Sequence, residues 1–203
     1  VTGIASSSIS TINTALDAGA TGAISGLGTG LTSIIVADHA EGSNIDLADI
    51  KNAVTTADGI NGGTTTALNI AAVTNLAGTM AEASSFLSYK TANTVTNADD
   101  QNISITNDDG SGITVDNANL LNATTSGVVT ATILTTETVT ELATLTAQTG
   151  GGTGNAYTIA IRAADATAAT AANLNSLNDL TTVAVNATNV TAIASSSIST
   201  INT

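Results

Sequence analysis

The side chains able to do chemistry are few, and their spacing favours turns over reactions. One histidine, His39, stands in Ala37-Asp38-His39-Ala40-Glu41-Gly42. As a metal ligand it would have only Asp38 and Glu41 nearby, and as a base it lacks a flanking nucleophile motif. An exposed loop histidine is the better reading. Gly150-Gly151-Gly152-Thr153-Gly154 matches a phosphate loop only in glycine count. It lacks the following Lys-Ser/Thr and precedes a strand, not a helix, so it reads as a flexible turn.

The acidic clusters are the strongest chemical candidate. Asn97, Asp99, Asp100 and Asn102 precede one strand, and Asn107, Asp108, Asp109 and Gly110 follow it. Carboxylates and amide oxygens in Gly-containing turns suit Ca²⁺, which takes six to eight oxygen ligands. The spacing matches neither the EF-hand loop nor the nonapeptide calcium repeat, and Asp and Asn favour such corners anyway. The expectation is therefore no cofactor and no catalysis, with Ca²⁺ at Asp99, Asp100, Asp108 and Asp109 as a weak metal candidate. Asn-x-Ser/Thr occurs at Asn102, Asn122, Asn186 and Asn189, as chance provides in so Asn- and Thr-rich a chain. Thr130-x-Thr132 fits an ice-binding array, but most strands place Asn, Ala or Ser there.

The elements that must position these groups repeat. Val1–Thr14 reads VTGIASSSISTINT and Val190–Thr203 reads VTAIASSSISTINT. Thirteen of fourteen positions agree over a separation of 189 residues. The pair reads as a window on a tandem array, slightly longer than one repeat, and a signal peptide is not expected in such an internal piece. A marker Val-Thr-x-(Ile/Leu) recurs at Val1, Val73, Val139 and Val190. It divides one continuous 1–203 segment into sub-repeats of about 1–72, 73–138 and 139–189, with the next copy starting at 190–203.

Each sub-repeat alternates helix and strand patterns. Steps of three and four put Ile9, Ile12 and Leu16 on one helical face, then Leu47, Ile50 and Val54, then Leu76, Met80, Ala83 and Phe86. Ala118 and Leu121, Val139, Leu142 and Leu145, and Leu174, Leu177 and Leu180 continue the series. Period-two alternation marks strands around Ile34 and Val36, Leu68 to Ala72, Ile103 and Ile105, Val129 to Ile133, Tyr157 to Ile161, and Val183 to Ala187. Gly19–Gly30, Gly59–Thr66 and Thr91–Asp100 read as insertions.

Strand–helix alternation predicts parallel strands with right-handed crossovers. A sheet covered on both faces would show continuous apolar runs. Here the second face carries Asn69, Ser104, Thr106, Thr130, Thr132, Thr158, Arg162, Thr182 and Asn186. The predicted fold is an α/β open right-handed solenoid of six strand–helix coils, with a parallel sheet on one side. The alternative is an all-β parallel β-helix, since Thr, Ser and Asn are poor helix formers. Coils stacked at strand spacing would advance the solenoid by about 29 Å per repeat.

Composition narrows the partners. Sixteen acidic residues against three basic ones, a net charge of −13, disfavour nucleic acid and anionic membrane. No apolar run is long enough to span a bilayer. Cys is absent, and the complete aromatic set is Phe86, Tyr89 and Tyr157, which favours a long shallow core over a deep one. Mean hydropathy of +0.31 argues against a disordered Thr/Ala linker.

The segments Ala23–Gly28 (AISGLG), Ala123–Ile133 (ATTSGVVTATI) and Asp165–Ile193 (DATAATAANLNSLNDLTTVAVNATNVTAI) resemble Thr/Ala-rich tandem repeats. Such repeats occur in giant cell-surface and secreted proteins of marine cyanobacteria and other bacteria, those related to swimming in marine Synechococcus among them. The resemblance lies in repeat idiom over most of the chain. It implies a non-enzymatic, structural, extracellular or cell-surface role and transfers no site residue. The expected function is a rod or filament segment that associates end to end, and sideways through the Thr/Ser/Asn face. The alternative is a Ca²⁺-dependent adhesin stalk or binding module.

Overall fold

A computed structural model describes residues 1–28, 30–37, 43–107, 110–152 and 154–195. The chain divides into two compact units, Val1–Gln101 and Asn102–Thr203. Both are α/β with parallel strand pairing.

In the first unit, β1 (Gly3–Ser7), β2 (Ser33–Val36), β4 (Ala67–Asn69) and β6 (Val95–Thr96) form one parallel ladder in that order. β3 (Ile45–Asp46) pairs in parallel with β5 (Asn75–Gly78) in a second. Helices α1 (Ile9–Ala20), α2 (Leu47–Ile60) and α3 (Met80–Thr91) separate them. Between consecutive helices the chain therefore makes two short strands, one in each ladder. Ile12, Leu16, Ile34, Ile50, Leu68 and Leu76 are all within 1% of complete burial, each contributing about 1.5–3 kcal/mol of apolar transfer.

In the second unit, β7 (Asn102–Ile105), β8 (Val129–Thr132) and β9 (Ala156–Thr158) pair in parallel. Helices α4 (Val115–Thr124), α5 (Val139–Leu142) and α6 (Ala171–Leu180) connect or follow them. Along β8, Val129 and Ala131 are buried while Thr130 and Thr132 are exposed. Ile103, Ile105 and Tyr157 extend the apolar face, and Thr158 extends the polar one. One face is aliphatic and the other small and polar, as the alternation predicts.

Six α-helices among the described residues exclude the all-β alternative. Weak helix formers are offset by capping. Ser8, Asp46, Thr79, Thr114, Thr138 and Thr170 each accept a first-turn N–H. Thr79 with Glu82 and Thr138 with Glu141 close full capping boxes. Exposed hydroxyls such as Thr14, Thr55 and Ser84 donate to the carbonyl four residues back, so they leave no polar group stranded on the helix surface.

Several sequence expectations are corrected. The Val-Thr marker is not one structural position: Val1 leads into β1, Val73 into β5, and Val139 opens α5. Thr138 and Glu141 box the third copy into a helix, whereas Leu76 is a strand residue paired with Ile45. Helix α3 begins only at Met80, after the Thr79 cap. Gly3–Ser7 is a strand, so only the later part of the duplicated motif is helical. Thr91–Asp100, expected as an insertion, contains β6. Val183–Ala187 forms no strand. Asn186 makes an isolated bridge to Ala160, and Val183 is 37% exposed. Arg162 lies outside the sheet, capping a 3-10 turn at Ala163–Asp165.

Candidate functional site

The polar groups that converge do so where neighbouring strand–helix segments meet. In the second unit the centre is a pair of buried amides, Asn122 (2% exposed) on α4 and Asn155 (fully buried) before β9. Asn155 Nδ2 donates to Asn122 Oδ1 at 2.9 Å, and Asn155 Oδ1 accepts from the Val129 N–H at 2.9 Å. Asn122 Nδ2 donates to Thr146 Oγ1 and the Ala147 carbonyl, both at 2.8 Å, while its Oδ1 also accepts from the Thr149 N–H. Every polar atom of both amides is used, as burial demands. Asn119 adds an outer copy of the motif, donating to the Thr144 carbonyl and accepting from the Thr146 N–H.

Carboxylates make a second seam at the helix starts. Glu137 Oε1 accepts from the Val115 N–H at 3.2 Å, and Asp165 Oδ2 accepts from the Val139 N–H at 2.8 Å. Val115 and Val139 are the first residues of α4 and α5, where a helix leaves N–H groups unsatisfied and favours negative charge. Asp165 is 7% exposed and neutralised by Arg162, whose Nε lies 2.9 Å away. Arg162 Nη1 also donates to the Thr136 carbonyl. The Arg162 hydrogen bond, with the Val139 N–H behind it, holds the Asp165 carboxyl below the usual aspartate range against the cost of burial. Glu141 is lowered likewise by its bonds to the Thr138 N–H and hydroxyl. Burial raises the Tyr157 phenol, whose hydroxyl donates to the Ala118 carbonyl at 3.3 Å.

At the far side of β9 a hydroxyl stands in for a strand. Thr181 Oγ1 accepts from the Tyr157 N–H at 2.9 Å and donates to its carbonyl at 2.8 Å. In the first unit, Asn61 plays the corresponding role. Its Nδ2 donates to the Leu31 carbonyl at 2.7 Å, and its Oδ1 accepts from the Gly30 N–H.

The residues singled out in the sequence meet different fates. Asp99 is exposed and pairs with Lys90 Nζ at 2.8 Å. Asp100 Oδ1 accepts from Gln101 Nε2 at 2.8 Å, and Gln101 also donates to the Val73 and Asn97 carbonyls. Asp108, Asp109 and His39 lie outside the described residues. Among the described residues no three His, Asp or Glu side chains group as a metal set.

The glycine run opens on a tight turn, where the Gly151 N–H donates to the Gln148 carbonyl at 3.1 Å. A Cβ on Gly150 would sit 2.1 Å from the Ser126 carbonyl oxygen, and Gly151 and Gly154 hold positive φ. Of the Asn-x-Ser/Thr asparagines, Asn122 is buried, Asn102 accepts from the Val128 N–H, and Asn189 donates to the Ile161 carbonyl. A groove of about 430 Å³ beside Gly19, Leu27, Thr56 and Ile60 carries no titratable side chain. A second, of about 260 Å³, lies beside Ile105, Asn107 and Thr132, with no titratable side chain among its described lining residues. Among the described residues no helix is long and apolar enough to cross a membrane.

The amide pair and the carboxylate caps were missed in the sequence because no local pattern marks them. Their partners lie 22 to 33 residues away in the sequence, and only the tertiary structure brings them together. No family model, no curated protein and no solved structure matches this chain.

Proposed function

We propose that this chain is a structural repeat segment of a giant extracellular or cell-surface protein, non-catalytic, built as an open right-handed solenoid. Its coils stack into a rod or filament that extends by end-to-end association. The polar bonds of the second unit carry the reading. Asn155 to Val129, Asp165 to Val139 and Arg162 to Thr136 each span 26 residues, and the ladders Ile103 to Val129 and Thr130 to Ala156 keep the same step. Side chains here are spent on holding one coil to the next, as nearest-neighbour repeat architectures require. The acidic, cysteine-free composition suits a solvated surface protein, and the exposed Thr130, Thr132 and Thr158 offer a flat face for lateral contact.

The test is small-angle scattering from proteins carrying one, two and three copies of the 189-residue period. Each copy adds about 29 Å of length to a continuous rod at strand spacing. Scattering of independent beads on flexible joints would sink the reading.

A further inference from the structure

The duplicated segment is seen twice, each time through a different edge. In the first unit β1 is the terminal strand of its ladder. Among the described residues its bonds lie on one side: Thr2 and Ser7 carbonyls accept from the Thr32 and Ala37 N–H groups, and Ile4 pairs with Ile34. In a parallel ladder alternate residues face opposite edges, so Gly3 turns its N–H away from β2. An irregularity between Ile4 and Ser7 leaves Ala5 without a register partner. The counterparts of Thr2, Gly3 and Ala5, one period on, are Thr191, Ala192 and Ala194. In the second unit these are bonded on the other edge. Thr191 and Ala192 donate to the Ala166 carbonyl at 2.9 and 3.2 Å, and Ala194 donates to the Ala169 carbonyl at 2.8 Å.

The side chains are complementary in the same sense. Val1 is 65% exposed and its counterpart Val190 half-buried; Ile193 is 49% exposed and its counterpart Ile4 half-buried. Each copy has covered the residue that the other leaves open.

We propose that the outer edge of β1 is a docking edge for a second copy of this sequence. Its Gly3 and Ala5 N–H groups take the Ala166 and Ala169 carbonyls of that copy, as Ala192 and Ala194 do. The inference rests on the repeat reading above and supplies its splice. The contact is head-to-tail, so it does not close and it extends a filament. It also explains the one mismatch in the duplicated stretch. A Cβ on Gly3 lies 3.2 Å from the Ser33 carbonyl, tight but short of a clash, so Gly and Ala are both admitted there.

The experiment uses the full chain. Residues 190–194 fill the acceptor edge of their own copy, so the unsubstituted chain sediments as a monomer. Ala192→Pro with Ala194→Pro removes two of the donors and opens that edge. This variant forms concentration-dependent oligomers of at least twice the monomer mass. Adding Ala5→Pro, which removes a donor from β1, returns it to monomer. Ala5→Val, which keeps the N–H, does not. A proline variant that stays monomeric, or oligomers indifferent to Ala5→Pro, overturn the proposal.

Should loss of helical circular dichroism show that the prolines unfold the second unit, disulfide trapping takes over, since the chain has no cysteine. Gly3→Cys with Thr167→Cys, in a chain whose residues 190–194 are replaced by glycine and serine so that the acceptor edge is free, then gives an oxidised multimer ladder that Gly3→Cys with Asp179→Cys in the same background does not. Equal ladders, or none, overturn it. Rod-like scattering from multi-copy proteins together with a failed splice test would leave the repeat reading standing and reject this edge alone.

Discussion

The carboxylate of Asp165 accepts the backbone N–H of Val139 at 2.8 Å, 26 residues upstream. A residue that follows β9 thus completes the start of α5, and Arg162 supplies the countercharge. Asp165→Ala strands a helix N-terminal donor and unpairs Arg162, which at 32% side-chain exposure still reaches water. The expected loss is about 1–3 kcal/mol in chemical denaturation, or about 2–4 °C of melting temperature per kcal/mol at this size. Asp165→Asn keeps an acceptor and loses less. Equal stabilities for all three chains would rule out the cap.

Acid stability follows from the same group. The folded carboxyls of Asp165 and Glu141 lie below their ordinary values. A depressed carboxyl contributes stability that is complete above its unfolded pKa, near about 4, and that is lost as pH falls through the folded value. The unsubstituted chain therefore loses stability below about pH 4, and Asp165→Asn flattens that acid limb. Unfolding free energies measured from neutral pH downward would contradict the assignment if the two limbs ran parallel.

Asn122 and Asn155 form a coupled pair. Asn155→Ala leaves the Val129 N–H buried without its partner and takes one of two donors from Asn122 Oδ1, costing about 1–3 kcal/mol. A double-mutant cycle with Asn122→Ala should return a coupling above about 0.5 kcal/mol. Strict additivity would mean the amides act alone.

Two glycines should respond with opposite signs. Gly150→Ala drives a Cβ to 2.1 Å from the Ser126 carbonyl oxygen and must shift backbone. It destabilises by more than about 1 kcal/mol, in line with other special backbone positions. A Cβ added at Gly59, exposed on α2, would meet nothing within 4 Å. Gly59→Ala is expected to stabilise by about 0.5–1 kcal/mol. Thermal melts of the two variants decide both.

Calcium separates the rod from the metal-dependent adhesin. Asp99 already faces Lys90 and Asp100 faces Gln101. The structural reading expects the same melting temperature in Ca²⁺ and in chelator. A rise with Ca²⁺ that Asp99→Asn and Asp108→Asn abolish would favour the adhesin.

By itself the sequence determined the α/β class and the buried faces of α1 and α2. Ile9, Ile12 and Leu16, or Leu47, Ile50 and Val54, lie where a 3.6-residue repeat puts them, because that spacing is a local property of the helix. Likewise Val129 and Ala131 point in and Thr130 and Thr132 out, because pleating alternates whatever lies beyond. Tertiary structure decided the rest. β3 and β6 are two residues long, too short to carry a period, and exist only because a neighbouring strand accepts them. The same Val-Thr letters become strand at Val73 and helix at Val139, according to the capping partners present. Asn122, Asn155 and Asp165 read as ordinary polar residues until the tertiary structure brings distant segments together. Then each meets a backbone group about 26 residues away, and a composition-level surplus of Asn and Asp becomes the fastening between successive strand–helix segments.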